Sequence, residues 1–167
     1  PTFPCITPLP IVLTTSWPER SQGNITIGAS NAGVGFDGSN IREGEWTPRL
    51  EINSKGNTIQ GLHIITCSGA GIVRNKQAQQ NTIGVDRSIG SGPIGQGNLL
   101  SGNSDGIGLF GASDNIIVGN LIGTDASATE AFGNEHPGIF LENDASYNVI
   151  GPGNINDYNG DHGIDVS

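Results

Sequence analysis

Methionine is absent, aromatic residues make up only 5% of the chain, and charged residues only 14%. No apolar run approaches the length of a membrane span. No segment shows helical periodicity, so helix-based repeats are disfavoured. Basic residues are missing from half of the chain. All seven (Arg20, Arg42, Arg49, Lys55, Arg74, Lys76 and Arg87) precede position 88, whereas ten Asp and Glu residues follow it. Such a half repels phosphate, which argues against nucleic-acid binding. It also lacks a positive handle for anionic polysaccharides, a deficit that a divalent cation such as calcium would offset. Only two cysteines occur, Cys5 and Cys67. Spacing alone leaves a bridge and two buried thiols equally open. The strand-to-helix Gly-rich joints of phosphate sites are not found, nor is a nucleophilic triad.

Glycine and asparagine are plentiful, with 27 Gly in 167 residues. Gly has no three-residue period, so collagen is excluded. Ile, Leu and Val recur regularly, which is not a disordered profile. The phrase Asn-x-Ile returns at Asn57-Thr58-Ile59, Asn81-Thr82-Ile83, Asn115-Ile116-Ile117 and Asn148-Val149-Ile150. Gly-Ile returns at Gly71-Ile72, Gly106-Ile107, Gly138-Ile139 and Gly163-Ile164. Between them stand Gly61-Leu62-His63-Ile64, Gly97-Asn98-Leu99-Leu100, Gly119-Asn120-Leu121-Ile122 and Gly153-Asn154-Ile155. The order is constant. The unit is roughly 22–25 residues, in the range of repeat architectures, with about ten extra in some loops. The extra loops are Val85–Gln96 and Thr124–Asn134.

Each unit offers three short strands and three turns. The expected fold is all-β: a right-handed parallel β-helix of stacked coils, each strand pairing with its equivalent one coil away. In Gly-Ile-x-Leu, alternation points Ile107 and Leu109 inward, and Gly108 and Phe110 outward. Ile139 and Leu141 follow inward, with Phe140 and Glu142 outside; Ile164 and Val166 follow, with Asp165 outside. Leu99 is assigned to the same inner column. Asn is expected at corners, where it tolerates left-handed backbone and stacks into amide ladders. Residues 1–56 read as a Pro-rich cap with irregular first coils, and residues 57–167 as regular coils. The chain stops inside a strand. A further segment or another chain is expected to cap that last coil.

The phrases Asn-x-Ile-x-Gly-Asn-x-Ile and Gly-Ile-x-Ile carry a resemblance, joined by Ile122-Gly123-Thr124-Asp125-Ala126 through Ala131-Phe132-Gly133-Asn134. They resemble the right-handed parallel β-helix repeat proteins of the pectin-lyase-like superfamily. The resemblance spans Asn57–Val166 and is loose over residues 9–56. It implies a secreted or cell-surface protein acting on or binding polysaccharide. Catalysis in that superfamily is by lyase, hydrolase or epimerase chemistry.

The catalytic sets implied by the resemblance are incomplete here. Asn103-Ser104-Asp105 resembles one polygalacturonase element, but no Asp-Asp pair occurs. Glycoside hydrolysis needs two facing carboxyls. Asp105 supplies one, with Asp165 or Glu142 as partner; alternatively Asp105 is only the corner residue before Gly106. A lyase needs a base, and Arg74 is the one basic residue on a regular strand position. It falls where Leu109 points inward, which suggests a bulge or a coil end. His63 is expected to point outward from its strand. His136, Asp161 and His162 on neighbouring corners form a candidate metal set. Outward Phe110 and Phe140, beside Glu142, form a candidate carbohydrate face, because rings stack on sugars and carboxylates bind hydroxyls. The reading that results is an extracellular β-helix scaffold or adhesion module with a possible polysaccharide face. The alternative is a polysaccharide-active enzyme.

Overall fold

The computed structural model describes residues 11–12, 22–40 and 50–167. Cys5, and with it the question of a bridge to Cys67, lies outside the described residues. So do Arg20, Arg42, Arg49 and most of the Pro-rich opening.

β1 (Ile11–Val12) precedes five coils of three strands each. The first coil comprises β2 (Thr26–Gly28), β3 (Val34–Asp37) and β4 (Leu50–Ile52). The second comprises β5 (Thr58–Gln60), β6 (Leu62–Ile65) and β7 (Ile72–Arg74). The third comprises β8 (Thr82–Ile83), β9 (Leu99–Ser101) and β10 (Ile107–Phe110). The fourth comprises β11 (Ile116–Ile117), β12 (Leu121–Ile122) and β13 (Ile139–Glu142). The fifth comprises β14 (Val149–Ile150), β15 (Ile155–Asn156) and β16 (Ile164–Val166).

Equivalent strands stack into three all-parallel sheets. Sheet I runs β2-β5-β8-β11-β14, sheet II β1-β3-β6-β9-β12-β15, and sheet III β4-β7-β10-β13-β16. This is the right-handed parallel β-helix expected from the repeat. Among the described residues there is no helix. The register is unbroken: Ile72, Ile107, Ile139 and Ile164 succeed one another, as do Arg74, Leu109, Leu141 and Val166.

The column inside the coils is aliphatic. Ile59, Ile83 and Ile117 from sheet I meet Ile64, Leu100 and Ile122 from sheet II, and Ile52, Ile72, Ile107 and Ile139 from sheet III. Each fully buried Ile or Leu contributes about 1.5–3 kcal/mol. Leu99 is not in this column. It points out of sheet II into a second cluster with Ile65, Ile94 and Leu121, closed over by Ala126, Ala128 and Phe132. Leu99-Leu100 is an apolar pair, and alternation alone does not say which member faces in.

Three asparagine ladders run along the corners. The first links Asn57, Asn81, Asn115 and Asn148; the second links Asn98, Asn120 and Asn154; the third links Asn103, Asn134 and Asn159. Each Oδ1 accepts the backbone N–H of the coil before. Each Nδ2 of the inner rungs donates to a carbonyl of that coil, as Asn115 does to Ala78 at 3.0 Å and Asn134 to Leu100 at 3.0 Å. The ladder residues do not take the left-handed backbone expected of them. In the first ladder that conformation falls one residue earlier, at Gly56, Gln80, Asp114 and Tyr147. The reversal there leaves the following amide as a donor along the axis. A buried orphan amide would be costly, so the corner needs an acceptor one coil on.

Candidate functional site

The outer face of sheet III holds the candidate carbohydrate residues. Alternation puts Gly108, Phe110, Phe140, Glu142 and Asp165 outside, as expected. Phe110 pairs in register with Glu142, and Phe140 lies between Gly108 and Asp165. Gly108 leaves the space over its Cα open to the Phe110 ring, since a Cβ would lie 2.8 Å from Phe110 Cε2. The two rings meet edge to face, with centroids 5.9 Å apart and planes at 76°. Both are half-buried. Towards the first coils the same face is polar. Glu51 accepts from Asn53 Nδ2 at 3.1 Å and from Asn75 Nδ2 at 2.6 Å. The face thus passes from Glu51 and its amides, over the buried Val73 and Gly108, to the two rings, Glu142 and Asp165.

Arg74 does not reach this face. It sits in register between Ile52 and Leu109, with no bulge, and its side chain enters the aliphatic column. It is 0% exposed, and none of its three guanidinium nitrogens has a hydrogen-bond partner. Desolvation lowers its pKa to about 9. Enclosed there, it cannot take a proton from a polymer outside, so a role for Arg74 as lyase base is corrected.

Asp105 occupies the corner before Gly106. Its carbonyl accepts from Gly71 N, and the carbonyls of Pro137 and His162 stand at the same corner in later coils. Its carboxylate takes the Ser104 hydroxyl at 3.1 Å. Asp165 is two coils away, roughly 10 Å along the axis, and Glu142 ends the far side of its strand. The structure therefore does not bring the candidate carboxyls face to face.

His136 and the pair Asp161–His162 stand at that corner on successive coils. Asp161 and His162 hold each other at 2.9 Å, and both are exposed. Among the described residues, no group of three or more His, Cys, Asp or Glu is placed to hold a metal ion.

His63 does point out of its strand, but it is covered. It is 1% exposed, and neither ring nitrogen has a hydrogen-bond partner. Desolvation lowers its pKa to about 4. Its cover is the loop after β8, whose path over sheet II is set by loop packing that no repeat position encodes. The second loop is tied by Asp125. Slight burial opposes ionisation there, but the Ser127 hydroxyl and the amides of Glu130, Thr129 and Ser127 outweigh it and bring the pKa down to about 2. Both loops lie over sheet II.

Among the described residues no helix is long and apolar enough to cross a membrane. No curated protein and no solved structure matches the chain. A family described as periplasmic copper-binding protein (NosD) matches residues 19–167. That family is of the right-handed β-helix type, as the stacked parallel sheets are, and its periplasmic description agrees coarsely with a location outside the cytoplasm. By this match over most of its length, the chain belongs to the periplasmic copper-binding protein (NosD) family.

Proposed function

We propose that the chain is an extracytoplasmic β-helix scaffold that holds neutral glycan chains on the outer face of sheet III. The observation that supports this is the Phe110–Phe140 edge-to-face pair, partly exposed on the outer face of that sheet. Rings of this kind stack on the apolar faces of sugars, and the flanking Glu51, Asn75, Glu142 and Asp165 offer hydrogen bonds to hydroxyls. The absence of Lys and Arg after Arg87 disfavours anionic polymers.

The family's description names copper. Copper(I) prefers thiolate, thioether and imidazole ligands. The chain has no Met. Cys67 is buried within the inner column. His63 lies on the opposite side of the same strand run, beneath a loop. His136 and His162 are exposed corner residues, the latter bound to Asp161. The described residues do not fit a resident copper centre.

A neutral-glycan array, followed by calorimetry on any hit, tests the reading. Phe110→Ala and Phe140→Ala should each weaken binding at least tenfold while leaving the urea midpoint nearly unchanged. A silent array, or unaltered affinity in both variants, would overturn it. Turnover of pectin or alginate by the wild-type chain would replace it with the enzymatic alternative.

A further inference from the structure

We propose that residues 85–97 form an acid-sensitive strap, held closed over the outer face of sheet II only while His63 is neutral.

The strap leaves the third coil after β8 and reaches back past the second coil to the first. There Gly92 N donates to the Ser30 carbonyl at 2.9 Å, and the Ser91 hydroxyl donates to the Asn31 carbonyl at 2.8 Å. Its far end returns through Gly97, whose carbonyl accepts from Gly61 N at 2.8 Å. Between these anchors Pro93 and Ile94 press onto the sheet. Ile94 is 4% exposed and packs with Ile65, Leu99 and Leu121. Pro93 closes on Gly33, where a Cβ would lie 2.9 Å from Pro93 Cδ and 3.3 Å from His63 Nε2. Gly33 is left-handed, with φ +67, so both space and backbone ask for glycine.

His63 is the second residue of β6, with Gly35 before it and Leu99 after it in the register. It is therefore under the strap, between two residues whose side chains offer it no polar atom, and neither ring nitrogen has a partner. A neutral imidazole tolerates that site; an imidazolium brings two N–H donors and a charge with no acceptor. Among the described residues, the charged groups on the elements around it do not compensate. Asp37 on β3 is engaged by Ser39 N and the Thr66 hydroxyl. Asp86 at the start of the strap is engaged by Ser88 through its amide and its hydroxyl. Arg87 is itself cationic. The turn 29–33 and β9 carry no ionisable group.

The sign follows from linkage. The closed form binds the His63 proton only near pH 4, whereas an opened, hydrated imidazole binds it near 6.5. Closure is fully favoured above 6.5 and is progressively lost as pH falls from 6.5 towards 4. Between pH 7.5 and pH 4.5 these two values raise the open-to-closed ratio roughly 70-fold. Opening withdraws Ile94 from Ile65, Leu99 and Leu121 and uncovers the part of that cluster which the Thr124–Asn134 loop does not reach. Outside the cytoplasm, where the pH follows the surroundings, such a latch changes the apolar surface on offer without unfolding the coils.

Hydrogen exchange read by mass spectrometry tests this, with intrinsic rates corrected for pH. The Gly92 amide should lose protection by tens of fold at pH 4.5 relative to pH 7.5. The Thr82 amide, bonded to the Asn57 carbonyl within sheet I, should not. His63→Phe should hold Gly92 protected at both pH values. The same pH profile in wild type and His63→Phe overturns the proposal. Imidazole carbon shifts in the wild-type chain decide separately, should the variant not fold. A His63 titration far below 6.5, together with the loss of Gly92 protection, sustains the latch. A His63 titration near 6.5 with Gly92 protected throughout refutes it.

Discussion

Asn81 Oδ1 accepts two hydrogen bonds from Asn57 one coil before it, one from the backbone amide at 2.8 Å and one from Nδ2 at 2.9 Å. Its own Nδ2 donates to the Ser54 carbonyl and to Asn115 Oδ1, each at 3.0 Å. One buried side chain thus ties three successive coils. Asn81→Ala removes all four bonds and leaves buried partners behind, at a cost of about 2–4 kcal/mol. A urea titration should show the midpoint falling accordingly. An unchanged midpoint would mean that water fills the rung at no cost.

Arg74 gives the opposite sign. A lone guanidinium among Ile52, Leu109 and other aliphatic neighbours carries a desolvation penalty with nothing to offset it. Arg74→Leu should raise stability by about 1–4 kcal/mol at neutral pH. Because the folded pKa is depressed to about 9, well below the usual guanidinium range, the penalty is complete below pH 9 and is relieved only as pH rises above it. Denaturation of wild type and variant at pH 7 checks it.

Leu99 tests the second apolar cluster. Leu99→Ala should cost about 2–4 kcal/mol, as a core truncation does, although its side chain lies outside the coils. Ile116, in an equally regular strand but 43% exposed, should cost less than about 1 kcal/mol when cut to Ala. Equal costs would contradict the division of the surface into a covered sheet II and an open sheet I.

The Thr124–Asn134 loop should resist acid. Asp125 is held ionised by the hydroxyl and amides around it, with a pKa of about 2. A depressed carboxylate contributes stability that is present above its ordinary value and fades only as pH falls through the folded one. Exchange at the Thr129 and Glu130 amides should therefore stay slow at pH 4.5, where the His63 strap opens. Asp125→Ala should speed exchange at both amides even at pH 7.

The coils were legible because their pattern repeats a steric rule. Ile107, Leu109, Ile139 and Leu141 face inward as alternation requires, and the Asn-x-Ile phrases mark real corners. What the repeat could not carry was anything set by contacts across coils. Asn134 and Asn159 sit in no recurring phrase, yet they complete the third ladder. The left-handed residue before each Asn of the first ladder varies among Gly, Gln, Asp and Tyr, because the corner constrains its backbone more than its side chain. Leu99 was misplaced because its neighbour is also leucine. Arg74 obeys the inner register while violating its chemistry. Of the candidate face, Phe110, Phe140 and Glu142 followed from alternation; the edge-to-face geometry of the two rings required the fold.

In a stack where each coil touches only the next, free energy divides into nearest-neighbour interfaces, and unfolding can creep inward from either end. The 85–97 segment breaks that rule, since it bonds the third coil to the first through Ser91 and Gly92. The first three coils are therefore cross-linked without covalent chemistry and should melt as a single cooperative block, while the fourth and fifth retain the graded fraying of a linear array.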